Sequence, residues 1–161
     1  MKDRMAMMKR LFVCLILLTL SVAVQGLPPQ NKNPKTIIND QNAKQMLLGQ
    51  HRFSLQWISW DYFGKANITE SKGTLFIKGE QKGRGNTDYL TLDGIITMVD
   101  AKEFAFKGTI VTQVSHINNG QPCKREGEMT FRITGNRKYW RLKEMDNPCE
   151  EVVDYVDVFF R

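Results

Sequence analysis

From His51 onward apolar side chains recur at every second position, and this alternation limits the chain to an antiparallel β architecture. "HRFSLQW" puts His51, Phe53, Leu55 and Trp57 on one face and Arg52, Ser54 and Gln56 on the other. The same period runs through "GTLFIKG" (73–79), "LTLDGIITM" (90–98), "FAFKGTIVTQVSH" (104–116), "GEMTFRI" (127–133) and "YWRL" (139–142). A final apolar and β-branched run, "VVDYVDVFF", ends at Phe160. Side chains alternate between the faces of a strand, so a period of two marks sheets with one face on a core and the other in water. Turn-forming stretches, "GRGNTD", "VDAKE", "NNGQP" and "TGNRK", separate the runs and predict a meander with short connections.

Glycines sharpen that expectation. "LDGII", "FKGTI" and "REGEM" each place Gly94, Gly108 or Gly127 on the inward face, two residues before an apolar side chain. Glycine inside a strand lets a sheet bend or another backbone approach. The fold expected is mostly β: a single strongly curved antiparallel sheet or barrel of about eight strands, with a β-sandwich as the alternative. Inward glycines would leave room in the barrel mouth. One short helix precedes the strands: Asn39 or Asp40 caps "QNAKQML", Ala43, Met46 and Leu47 share a face, and Gly49 suits the stop.

The N-terminal segment has the layout of a secretory signal. Lys2, Arg4, Lys9 and Arg10 precede the apolar run Leu11–Leu20, and small residues follow, so that cleavage would fall after Ala23 or Gly26. The run is shorter than the ~20 residues of a membrane span. Residues 1–26 are therefore read as a signal peptide, 27–35 as a flexible leader and 36–161 as one β-barrel-like domain, periplasmic or secreted, with no stable membrane insertion after cleavage. Of the formal charge of +6, the signal segment carries four cations and one carboxylate, leaving about +3 for the exported chain. So mild an excess argues against nucleic acid as a partner.

Export removes Cys14 and leaves Cys123 and Cys149, an even pair in an oxidising compartment. Neither lies in a zinc-type doublet, and a disulfide is favoured over a reactive thiol or a metal ligand. His51 and His116 both fall on predicted inward faces and would meet only if their strand ends share a rim. Each is more simply a hydrogen-bonded structural residue, since no third ligand is evident. Trp57, Trp60, Tyr62 and Phe63 crowd one strand end, either as core and strand edge or as a contact patch. Lys124, Arg125, Arg132, Arg137, Lys138, Arg141 and Lys143 form a basic sector, but six carboxylates lie among them, and cross-strand ion pairs on a solvated face account for it. Asp154 and Asp157 have opposite parity and do not form a glycosidase pair. "NIT", at 67–69, is a glycosylation acceptor only in a eukaryotic host. No nucleophile elbow, metalloprotease, phosphate-loop or dinucleotide motif is present, and no cofactor is implied.

The stretches "GQPCKREG", "RKYWRL", "DNPC" and "DYVDVFF" resemble a group of small exported bacterial proteins without an assigned activity, over residues 71–161. The helix-plus-barrel outline is similar to that of calycins such as lipocalins, as a fold analogy that carries no function. The expectation is a binding module for a small apolar or amphipathic ligand, with Trp57, Phe104, Phe106, His116 and His51 as candidate lining residues. The alternative is an interaction or inhibitor module that meets an envelope protein through the stapled loop. An enzyme built on His51 and His116 has the least support.

Overall fold

The computed structural model describes residues 34–85 and 87–161. The proposed signal peptide, its cleavage positions and leader residues 27–33 lie outside them. The order is β1 (Ile37–Ile38), α1 (Gln41–Leu47), β2 (Gly49–Leu55), β3 (Gly64–Ser71), β4 (Thr74–Lys82), β5 (Tyr89–Val99), β6 (Glu103–Gln113), β7 (Cys123–Arg132), β8 (Tyr139–Leu142) and β9 (Val156–Phe159). Strands β2 to β9 pair antiparallel with their sequence neighbours, and β9 returns to β2 through Phe53↔Val158, Ser54↔Asp157 and Leu55↔Val156. The result is a closed eight-stranded meander, so the barrel has no free edge to cover.

Two short elements close one rim. In α1 the Asp40 carboxylate accepts from the Ala43 amide at 2.7 Å, and Ala43 and Leu47 face the core while Met46 is exposed. β1 runs parallel to the end of β5, where a bulge near Thr97 carries β5 past β4. Thr36 bridges that junction: its hydroxyl donates to the Ile96 carbonyl at 2.6 Å and accepts from the Leu75 amide at 2.8 Å. Pro34 joins the same junction, its carbonyl accepting from the Thr74 hydroxyl at 3.0 Å.

The barrel axis is filled. Phe53, Leu55, Leu90, Ile96, Phe104, Phe106, Ile110, Phe131, Leu142, Val156 and Val158 have no exposed surface. Gly94, Gly108 and Gly127 lie in one row across β5, β6 and β7, as direct register partners. The space spared at the first two is not free, because the Phe106 ring lies across both. A Cβ on Gly94 would stand 2.7 Å from that ring, and one on Gly108 would stand 2.6 Å from it. The glycines thus admit an aromatic ring that packs on backbone, where the sequence reading had placed room for a ligand. Phe104 stacks on Phe131 at 5.0 Å and meets Trp140 edge-on at 6.0 Å, continuing the aromatic core toward the α1 rim.

Several strand limits differ from the periodicity. β2 stops at Leu55 because Ile58 turns back to the Leu55 carbonyl, so Trp57 sits in a turn at the rim. Gly73 is a turn residue with φ +82°. β6 ends at Gln113, leaving His116 beyond it. β3 has no counterpart among the expected strands.

Candidate functional site

The rim opposite α1 is built around the staple. Cys123 opens β7 and is disulfide-bonded to Cys149 in the loop between β8 and β9, with Cα atoms 6.0 Å apart. Beneath that loop lies a buried polar network. Arg125 donates to the Asp154 carboxylate at 2.7 Å and to the Asp146 carbonyl at 2.8 Å. Asn147 donates to the same carboxylate at 2.9 Å, while its own side-chain oxygen accepts from the Cys149 amide at 2.8 Å. Trp57 completes the set: its indole N–H reaches the Val153 carbonyl and the Asp154 carboxylate, both at 3.1 Å. The side chains of this network thus satisfy one another and the loop backbone, which fixes a loop that has little regular structure.

Above the network is a cleft of about 810 Å³, lined by Trp57, by Val152 and Val153, and by the loop residues 146–151. Its floor is apolar, with Val153 40% exposed. Its edge carries Asp146, Glu150 and Glu151, and Glu150 accepts from the Asn118 backbone amide of the 3₁₀ turn after β6. Trp57 meets His116 edge-on at 6.0 Å. Trp60, 61% exposed, stands in the same segment as Trp57. Reducing the protein, or replacing Cys149 with serine, is expected to cost about 3.5 kcal/mol through the freedom restored to the unfolded loop. A urea titration with and without reductant checks this, and an unchanged midpoint would mean the loop is held by its polar network alone.

The other candidate residues separate. His51 is at the α1 rim, where its Nδ1 and Nε2 lie 2.8 Å and 2.6 Å from the Phe159 and Leu47 carbonyls. Both partners are acceptors on the backbone, so neither nitrogen is left for a ligand. His116 is exposed at the opposite rim, and the two histidines share no site. Phe104 and Phe106 are core residues. Among the described residues no group of three or more His, Cys, Asp or Glu converges as a metal set. Asp154 precedes β9 and Asp157 lies within it, and each is held by a different arginine, Arg125 or Arg141.

The basic sector is partly neutralised. Lys124 pairs with Glu126, Arg125 with Asp154, Arg132 with Glu103 and Arg141 with Asp157, each at 2.7 Å. Arg141 and Asp157 form a two-pronged pair on the outer face of β8 and β9. Burial pushes the Asp157 carboxyl above its ordinary value, against the pull of Arg141, whose guanidinium is raised by its hydrogen bond to Asp157. Sequence reasoning missed this pair and the Arg125–Asp154 network; the signal available was two aspartates inside the apolar run "VVDYVDVFF".

Fold and rim together define a class: a small closed meander barrel, plugged at one end by a helix, solid within, and stapled at the other end. The chain belongs to the PM1083 family, whose family model matches residues 35–160. A relative from Pasteurella multocida (strain Pm70), the uncharacterized protein PM1083, is 46% identical over 155 residues, covering 95% of this chain and 96% of the relative. No solved structure matches the chain. No helix among the described residues is long and apolar enough to cross a membrane.

Proposed function

We propose that the protein is an exported, non-catalytic interaction module that presents its stapled rim to an envelope protein. The observation that carries this reading is the pairing of a filled barrel axis with an open, apolar-floored cleft beside the disulfide. Carboxylates at Asp146, Glu150 and Glu151 suit a partner segment that inserts an apolar side chain flanked by basic residues. The buried Arg125–Asp154–Asn147–Trp57 network holds the rim in shape before contact, which lowers the cost of ordering it on binding. The disulfide supports an oxidising compartment.

A small apolar ligand inside the barrel is the second reading. It would have to displace Phe106 from the two glycines it covers, so the cavity would exist only in a rearranged state. A photo-crosslinker placed at Val153, which is exposed and outside the core, distinguishes the two when the protein is expressed in its own host. The expected result is a discrete protein adduct, weakened at least severalfold by Glu151→Lys. A native mass spectrum of the same preparation is expected to show a bare chain, lighter by the hydrogens lost in forming the disulfide. A co-purified apolar molecule and no adduct at Val153 would overturn the rim reading in favour of the interior one.

A further inference from the structure

We infer a second binding site, on the outer wall of the barrel far from the staple, for an anionic lipid. A cleft of about 960 Å³ lies where β2, β3 and β9 meet, near the α1 rim. Its cations include Arg52, Lys65 and Lys138, its apolar surface is Phe63, Phe159 and Phe160, and no aspartate or glutamate lines it.

The placement of those cations carries the inference. Arg52 on β2 and Lys65 on β3 are direct register partners, so two like charges stand side by side on the outer face. Such a pair is unfavourable unless an anion lies between them. Neither residue, nor Lys138, takes part in any ion pair found among the described residues. Glu80, the register partner of Lys65 on its other side, pairs instead with Lys82 at 3.0 Å. Every other strand cation among the described residues has a carboxylate partner; Arg52 and Lys65 have none, and Lys138, just before β8, adds a third unpaired charge.

Arg52 is nonetheless held in place. Its guanidinium lies over Phe63 at 4.7 Å and beside Phe159 at 5.2 Å from the ring centroids, and those rings meet edge-on at 5.1 Å. Aromatic contacts orient the arginine without neutralising it, so its charge remains available to a ligand. Arg161, also at the cleft, is oriented by a hydrogen bond to the Gln45 carbonyl near the end of α1 and adds a further positive charge. Unneutralised cations beside three phenylalanines suit a ligand that is anionic at one end and apolar at the other. The phosphate headgroup of an anionic lipid would pair with Arg52, Lys65 and Lys138, and its first methylenes would lie on the rings.

Flotation with vesicles tests this on the intact exported chain. The protein should float with phosphatidylglycerol/phosphatidylcholine vesicles and remain behind with phosphatidylcholine alone. Lys65→Gln should weaken binding about fivefold, and Lys65→Gln with Lys138→Gln about 25-fold, from the usual worth of one cation near an anionic surface. Both residues are exposed and unpaired, so the variants should keep the parent's melting temperature. The charge-matched control, Lys107→Gln with Lys124→Gln, removes two cations on β6 and β7 and should lose no more than twofold. An equal loss in the control would reduce the effect to net charge and overturn the site. A second arm follows backbone NMR shifts of Lys65 and Phe159 with inorganic phosphate and with short-chain phosphatidylglycerol below its micelle concentration. The lipid should saturate the shifts at far lower concentration. Equal response to both would identify a phosphate site and overturn the lipid assignment, and no response to either would overturn the site altogether.

Discussion

Replacing Phe106 with alanine is expected to destabilise the barrel by about 3–5 kcal/mol, the usual range for deleting a buried phenylalanine. Its ring has no exposed surface and closes the gap over Gly94 and Gly108. Without it, two facing glycine backbones would border a dry void that stiff, paired strands cannot collapse to fill. A urea titration should show a lower midpoint with an unchanged slope, since the surface exposed on unfolding stays nearly the same. Adding Gly108→Ala should not rescue the loss. The new Cβ would meet the Asp93 carbonyl oxygen at 2.3 Å whether or not the ring is present. A Phe106→Ala protein within about 1 kcal/mol of the parent would show that the interior is not packed as described, and would reopen it as a ligand cavity.

Arg141→Met should cost about as much, about 3–5 kcal/mol at neutral pH, because it leaves the Asp157 carboxylate buried without its counter-charge. Asp157 is almost wholly inaccessible, and its two oxygens each accept from Arg141 at 2.7 Å. The guanidinium also lies 4.0 Å from the Tyr155 ring centroid, and methionine keeps part of that packing. Adding Asp157→Asn should recover most of the loss, which separates stranded charge from lost volume. The pH dependence has a definite sign. Burial already raises the Asp157 carboxyl, and removing Arg141 raises it further. The folded variant then keeps a proton that the unfolded chain releases, over the window between the ordinary carboxylate value and the raised one. Stability is therefore lost as pH rises through that window, and the deficit against the parent should be smaller in mild acid than at neutrality. A deficit that grows on acidification would contradict the assignment.

Much of the barrel was legible because its strands alternate strongly. "LTLDGIITM" and "FAFKGTIVTQ" carry enough inward apolar residues to reveal β5 and β6, and they keep the register that alternation implies except past Ile96, where the bulge buries Val99 in place of Met98. β3 was not legible. "GKANITES" turns only Ala66 and Ile68 inward, and its polar outward face reads as loop. Trp57 was placed one step too far along β2 because periodicity continues past the turn that ends the strand. Gly94 and Gly108 were read correctly as inward and as the mark of a curved sheet, but the room expected beside them is filled by the Phe106 ring. The clue lay in "FAFKG", where Phe106 and Gly108 share a face and the ring can fold onto the neighbouring backbone. The staple followed from cysteine number and compartment. The rim cleft did not, because Trp57 and Val153 are 96 residues apart and only barrel closure brings them together.

The seam between β2 and β9 also sets the order in which the chain becomes safe. His51 meets Phe159 across 108 residues, so β9, the strand that seals the barrel, is made only after β2 to β8. Until then β2 has an unpaired side, and so does β8, and either is open to pairing with another chain. Cys149 emerges almost as late, so its bond to Cys123 cannot lock the rim early. A nascent chain of this kind benefits from being kept extended until β9 is free, and folding then depends on a single long-range closure that local structure does little to hasten.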